Sequence, residues 1–167
     1  MAVLEITKGV DNQILRTVSK PVKKIDRKIK ELVADMIDTM VAADGLGIAA
    51  PQVGINLRIF IARLNFNTPN EMMVPMINSE FLEVSPETVD NEEGCLSIPK
   101  KFGTLRRSTT LTIRYMDLKG AWQTLRLDGL NARIMQHETD HLNGILIADK
   151  MEREVDGATL KKAQKAN

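Results

Sequence analysis

The chain predicts an α+β fold: mainly antiparallel strands around a central helix that carries a His-Glu-x-x-His motif, with a long N-terminal amphipathic helix. Three observations predict it. Apolar residues between Asp26 and Asp44 recur at helical spacing, two strand-like runs flank the turn Asp117-Leu-Lys-Gly120, and a second helical pattern runs from Asp128 to Gly144.

The first helix rests on Ile29, Leu32, Val33, Met36, Ile37, Met40 and Val41, which follow the i, i+3, i+4, i+7 rule and stop near Gly45. Gly45-Leu-Gly-Ile-Ala-Ala-Pro-Gln52 reads as a loop or strand edge of small side chains. Leu57 to Leu64 is a strand, Asn65 to Asn70 a polar loop, and Met73 to Val84 a returning strand. Thr109 to Met116 and Ala121 to Leu127 form a hairpin. Asp128 suits the N-cap of the second helix and Gly144 the residue just past its end. From Glu152 onward the chain is polar and weakly periodic.

Composition narrows the class. A length of 167 residues suits one hydrophobic core, so a single domain spanning 1–167 is expected. Hydrophobic residues make up 43% and the net charge is +1 with Lys and Arg scattered, which gives no footprint for sequence-specific nucleic-acid or membrane binding. The start lacks a signal-peptide pattern, and no apolar run approaches membrane-spanning length. One cysteine, Cys95, makes no internal disulfide. A cytoplasmic, reducing location is the expectation.

Both histidines of the chain, His137 and His141, stand one helical turn apart in His-Glu-Thr-Asp-His, with Glu138 between them. Residues i and i+4 share a helix face with Cβ atoms roughly 6 Å apart, so both imidazoles can reach one metal ion and the adjacent carboxylate can reach a water there. Leu130, Ile134, His137 and His141 fall on one stripe, which places the imidazoles toward the core. Burying both without a shared partner would require several separate hydrogen-bond partners, and one ion satisfies both. A catalytic tetrahedral site needs a third protein ligand. After His141 there is no histidine, and the acids Asp149, Glu152, Glu154 and Asp156 lie in a polar tail. Upstream, Cys95 in Glu93-Gly-Cys-Leu-Ser97 is the better candidate, against the alternative of a small buried hydrophobe.

Gly45-Leu-Gly-Ile-Ala-Ala-Pro-Gln52, Glu93-Gly-Cys-Leu-Ser97 and Gln136-His-Glu-Thr-Asp-His141 resemble, in order, the three signature motifs of the peptide deformylases, and similarity runs from about Ile6 to about Asp149. The resemblance implies removal of the N-formyl group from the initiator methionine of nascent polypeptides, with release of formate. It implies one divalent metal on Cys95, His137 and His141: iron(II) natively, with zinc, nickel or cobalt as substitutes. A metal-bound water would attack the formyl carbon with Glu138 as general base and then acid. The Gln52 side-chain amide and the Leu96 backbone N–H would steady the developing oxyanion. Formylmethionyl nascent peptides are the implied partners, with ribosome association an open possibility.

Leu46, Gly47 and Gly94 are expected along an extended substrate, with Leu130, Ile134 and Leu46 around its methionine. Phe102 stands where many bacterial members carry an arginine that can touch the substrate backbone. Asp140 reads either as a partner behind the ligands or as a salt-bridged helix residue. Three other classes stay open on the residues: a zincin-type protease, a structural metal site, and a catalytically silent peptide binder. The first lacks a downstream third ligand, the second a fourth Cys or His, and the third would have little use for Glu138, Gln52 and Cys95 together.

Overall fold

The computed structural model describes residues 2–155, so Asp156 and the remainder of the polar tail lie outside the described residues. The chain enters as an extended segment interrupted by the short helix α1 (Gln13–Arg16). The amphipathic helix α2 (Arg27–Ala42) follows rather than standing at the N-terminus; the Asp26 carboxylate caps it by accepting from Ile29 N–H at 3.1 Å. Its left-handed exit falls on Asp44 (φ 52°), not on the expected Gly45. Gly45 answers to crowding instead: a Cβ there would come within 3.1 Å of Leu96 Cδ1 and 3.3 Å of Met40 Cγ.

Strands β1 (Gly47–Ala49), β2 (Ile59–Leu64), β3 (Met72–Val84), β6 (Thr110–Met116) and β7 (Trp122–Asp128) form an antiparallel five-stranded sheet in the order β1-β2-β3-β6-β7. Strand β2 is apolar except at Arg63, because both its faces are covered. Ile59 and Ile61 join Val33, Met36 and Met40 of α2, whereas Phe60, Ala62 and Leu64 join Ala132, Met135 and Leu142 of the later helix α3 (Gly129–Leu142). That alternation is the period-2 geometry of a strand buried between two helices. Deleting a fully buried ring such as Phe60 typically costs about 3–5 kcal/mol.

A second antiparallel sheet, absent from the sequence expectations, consists of β4 (Thr88–Cys95), β5 (Ile98–Ser108) and β8 (Arg153–Val155). Its buried positions do not form an apolar alternation. Glu93 of β4, and Ile98, Gly103, Leu105 and Arg107 of β5, are the buried residues, while Val89 is 43% exposed. Charge and glycine therefore conceal the alternation. Helix α4 (Ile147–Lys150) lies under this sheet, where Leu146 and Ile147 pack with Leu15, Ile98 and Leu105. No helix among the described residues is long and apolar enough to cross a membrane.

Candidate active site

Helix α3 and strand β4 meet at the junction of the two sheets, and their meeting assembles the site. Asp128 occupies the N-cap position of α3, although its carboxylate makes no capping bond. At the other end the backbone leaves through Gly144 at φ 72°, the conformation that suits glycine. Along the expected stripe Ile134 and His141 are buried and His137 nearly so. Leu130 departs from it. In the first turn of the helix, it is 47% exposed at the rim of a cleft rather than packed in the core.

The candidate ligand atoms of Cys95, His137 and His141 all lie within 4.8 Å of one another, and Cys95 Sγ stands 3.2 Å from His141 Nε2. The imidazole centroids are 5.0 Å apart. Cys95 is thus no isolated buried hydrophobe. A bulge between Gly94 and Cys95, where β4 turns into β5, carries the thiol to the histidines. One thiol and two imidazoles converging on a single point is a donor set suited to a divalent transition metal, and no fourth Cys or His exists to close it. Glu138 adds a further mark of fit: it is buried beside this point, and its Oε2 has no hydrogen-bond partner among the described residues. Burial pushes its carboxyl up to about 7, against the opposing pull of His137.

His137 is oriented from behind. Its Nδ1 lies 2.9 Å from Glu93 Oε2, which leaves Nε2 for the ligand position. Burial alone would raise the Glu93 pKa, but hydrogen bonds from Arg107 and His137 overcome it and hold the carboxyl far below the usual range. Arg107 binds both Glu93 oxygens at 2.9 Å, and Arg133 donates to Oε1 at 2.6 Å while also reaching the Leu105 and Val89 carbonyls. Arg107 also bridges to Asp140 at 2.6 Å, and Lys150 completes that carboxylate at 2.8 Å. Asp140 is therefore a salt-bridged helix residue that steadies the arginine behind the ligands. Burial disfavours protonation of both imidazoles. Contacts with Cys95 and Glu93 reverse this for His137, whereas the neighbouring positive charge lowers His141 further.

Gln52 sits in the 3-10 turn Ala50–Val53 after β1 and is almost fully buried. Its Oε1 accepts from Ala49 N–H at 2.9 Å, so its NH2 must point the other way. There it reaches Ser97 Oγ at 3.2 Å and Cys95 Sγ at 3.6 Å. Gly47 makes room for the carboxylate, since a Cβ at that position would stand 2.2 Å from Glu138 Oε1.

All six residues expected to touch substrate (Leu46, Gly47, Gly94, Phe102, Leu130 and Ile134) line one cleft of about 470 Å³, together with Leu96, Gln52, Cys95, His137 and Glu138. Glu93, Arg107, Arg133 and Ser97 were not singled out from the sequence. Glu93 stands two residues before Cys95, but the bulge between Gly94 and Cys95 breaks the simple alternation that would have tied it to the thiol.

A helix bearing His-Glu-x-x-His, a mid-chain thiol completing a three-ligand set and a buried carboxylate at its edge define a metallohydrolase. The model of the polypeptide deformylase family matches residues 3–156. The chain is 46% identical to a peptide deformylase of Thermotoga neapolitana over 83% of this chain and 81% of that one. It is 43% identical to one from Wolbachia pipientis wMel over 99% and 96% of the two chains. The crystal structure of Thermotoga maritima peptide deformylase superposes with a TM-score of 0.85 at 41% identity, covering 91% of this chain and 99% of that one. A Met-Ala-Ser-bound peptide deformylase of Acinetobacter baumannii gives 0.82 at 37% identity, with 90% and 99% covered. The chain belongs to the polypeptide deformylase family.

Proposed function

We propose that this enzyme hydrolyses the N-formyl group of formylmethionyl nascent peptides and releases formate, acting as one domain in the cytoplasm. The observation that carries the reading is the convergence of Cys95, His137 and His141, with Cys95, His137 and the buried Glu138 lining one cleft and His141 buried behind them. These three side chains would hold one divalent ion, iron(II) in the native enzyme, with zinc, nickel or cobalt able to replace it. When bound, the ion supplies Lewis acidity toward the attacking water and the formyl oxygen.

The chain's own groups account for the rest. Glu138, poised near neutrality, takes the proton of the attacking water and hands it to the departing amine nitrogen as the C–N bond breaks. The Gln52 NH2, aimed by its bond from Ala49, and the Leu96 N–H stabilise the negative charge on the formyl oxygen. Leu46, Leu130 and Ile134 receive the methionine side chain, and the backbone at Gly47 and Gly94 flanks the extended peptide. The methionine-headed tripeptide held by the Acinetobacter relative supports this assignment. Access to substrates as they leave the ribosome belongs to the same reading.

The test is formate release from a formyl-methionyl peptide by anaerobically purified enzyme, with metal content measured in parallel. Glu138→Gln should retain the ion and lose turnover by roughly a hundredfold or more, whereas Cys95→Ala should lose the ion itself. Full activity of either variant would overturn the assignment.

A further inference from the structure

Residues 7–9 line no part of the cleft, yet they are bonded to two residues that meet next to Cys95. Thr7 N–H donates to the Gln52 carbonyl at 2.8 Å, and Gly9 N–H donates to the Ser97 carbonyl at 3.0 Å. Those two residues also meet through their side chains, since the Gln52 NH2 reaches Ser97 Oγ at 3.2 Å. Both are buried, although they stand 45 positions apart in the chain. Three hydrogen bonds thus close a ring from residues 7–9 to Gln52, on to Ser97 and back.

The ring governs direction. Gln52 lies near the end of a four-residue 3-10 turn, where backbone carbonyls lack partners within the turn. Its carbonyl is bonded from Thr7, its Oε1 from Ala49 N–H, and its NH2 is left to point toward Ser97 and Cys95. The segment is itself anchored on both sides. Leu4 N–H donates to Thr39 Oγ1 of α2 at 2.8 Å, and the Gly9 carbonyl accepts from Asn12 N–H at 3.3 Å in the turn that opens α1. Between these anchors the chain bends at Gly9, whose φ of 108° strains any L side chain, although a Cβ there would meet no atom within 4 Å.

Resting on the function proposed above, we infer that residues 7–9 form a positioning strap that holds the Gln52 amide where the formyl oxygen gains charge. Gly9→Ala tests this, because it strains the strap and adds no contact. The variant should keep its metal and its KM and lose kcat for formate release by about tenfold to a hundredfold, since a displaced donor to the transition state changes kcat. Gly120→Ala is the matched control: its φ of 82° also opposes alanine in open space, in the β6–β7 turn outside the cleft, so kcat should stay native. A backbone ester at Gly9, which removes the N–H and adds no side chain, should show the same loss and serves if alanine prevents folding. In a Gln52→Ala background, itself slowed about a hundredfold, the Gly9 change should cost nothing further. Native kcat in the Gly9 variants, an equal loss in Gly120→Ala, or an undiminished loss on top of Gln52→Ala overturns the inference and leaves the deformylase reading standing. Failure of the native enzyme to release formate refutes that reading, and this inference with it.

Discussion

Replacing Gly47 by alanine should separate catalysis from stability. A Cβ at this position would lie 2.2 Å from Glu138 Oε1, 2.7 Å from Cδ and 2.9 Å from Cγ, where ordinary contact begins near 3.4 Å. The carboxylate would have to retreat by about 1.2 Å. Since the obstructed atoms are the end of a flexible side chain, the fold yields at small cost. The reaction does not, for a misplacement of about 1 Å in catalytic geometry typically costs a hundredfold in rate. Gly47→Ala should therefore bind metal like the native enzyme, melt within a few degrees of it, and show kcat for formate release reduced about a hundredfold. Steady-state kinetics, metal analysis and thermal denaturation on one preparation provide the three readouts. Near-native kcat would refute the placement of Glu138 as the proton carrier, and loss of metal would show that Gly47 supports the ligands instead.

Other substitutions examine the frame around the site. Glu93→Ala strands two buried arginines, and removal of one partner from a buried ion pair costs about 3–5 kcal/mol. In a domain of this size the melting temperature should fall by about 10 °C, and metal affinity should weaken tenfold or more as His137 loses its orienting bond. Unchanged melting would remove the network from the account of stability. Gly144→Ala combines a φ of 72° with a Cβ only 2.4 Å from the Arg16 carbonyl oxygen, whereas Gly120→Ala meets φ 82° in open space. Chemical denaturation should show the first losing about 2 kcal/mol or more and the second about 1 kcal/mol; equal losses would mean that the Arg16 contact relaxes freely.

The legible parts of this fold are those whose burial is apolar. Helix α2 and the β6–β7 hairpin follow from spacing alone because their inward positions carry Ile, Leu, Val and Met. The β4–β5 hairpin was illegible because Glu93, Gly103 and Arg107 share its buried positions with Ile98 and Leu105, and the burial of Glu93 rests on pairing with arginines 14 and 40 residues away. Spacing on one helix pointed to His137 and His141. The approach of Cys95, 46 residues before His141, depends on tertiary structure, and only the family resemblance gave it in advance. Leu130 was misjudged because a helical stripe gives direction but not depth: at the first turn, the same stripe emerges from the core into the cleft.

Strand β8 pairs with β5 so that Val155 stands opposite Phe102 and Glu154 opposite Gly103. Met151, in the connection leading to it, packs so closely on Gly103 that a Cβ there would lie 2.1 Å from Met151 Cγ. The outer edge of the strand that carries Phe102 is thus closed by a segment that holds none of the candidate ligands. Change in Met151–Val155 can loosen or tighten that edge without touching Cys95, His137, Glu138 or His141, so the frame and the reacting groups are free to vary apart.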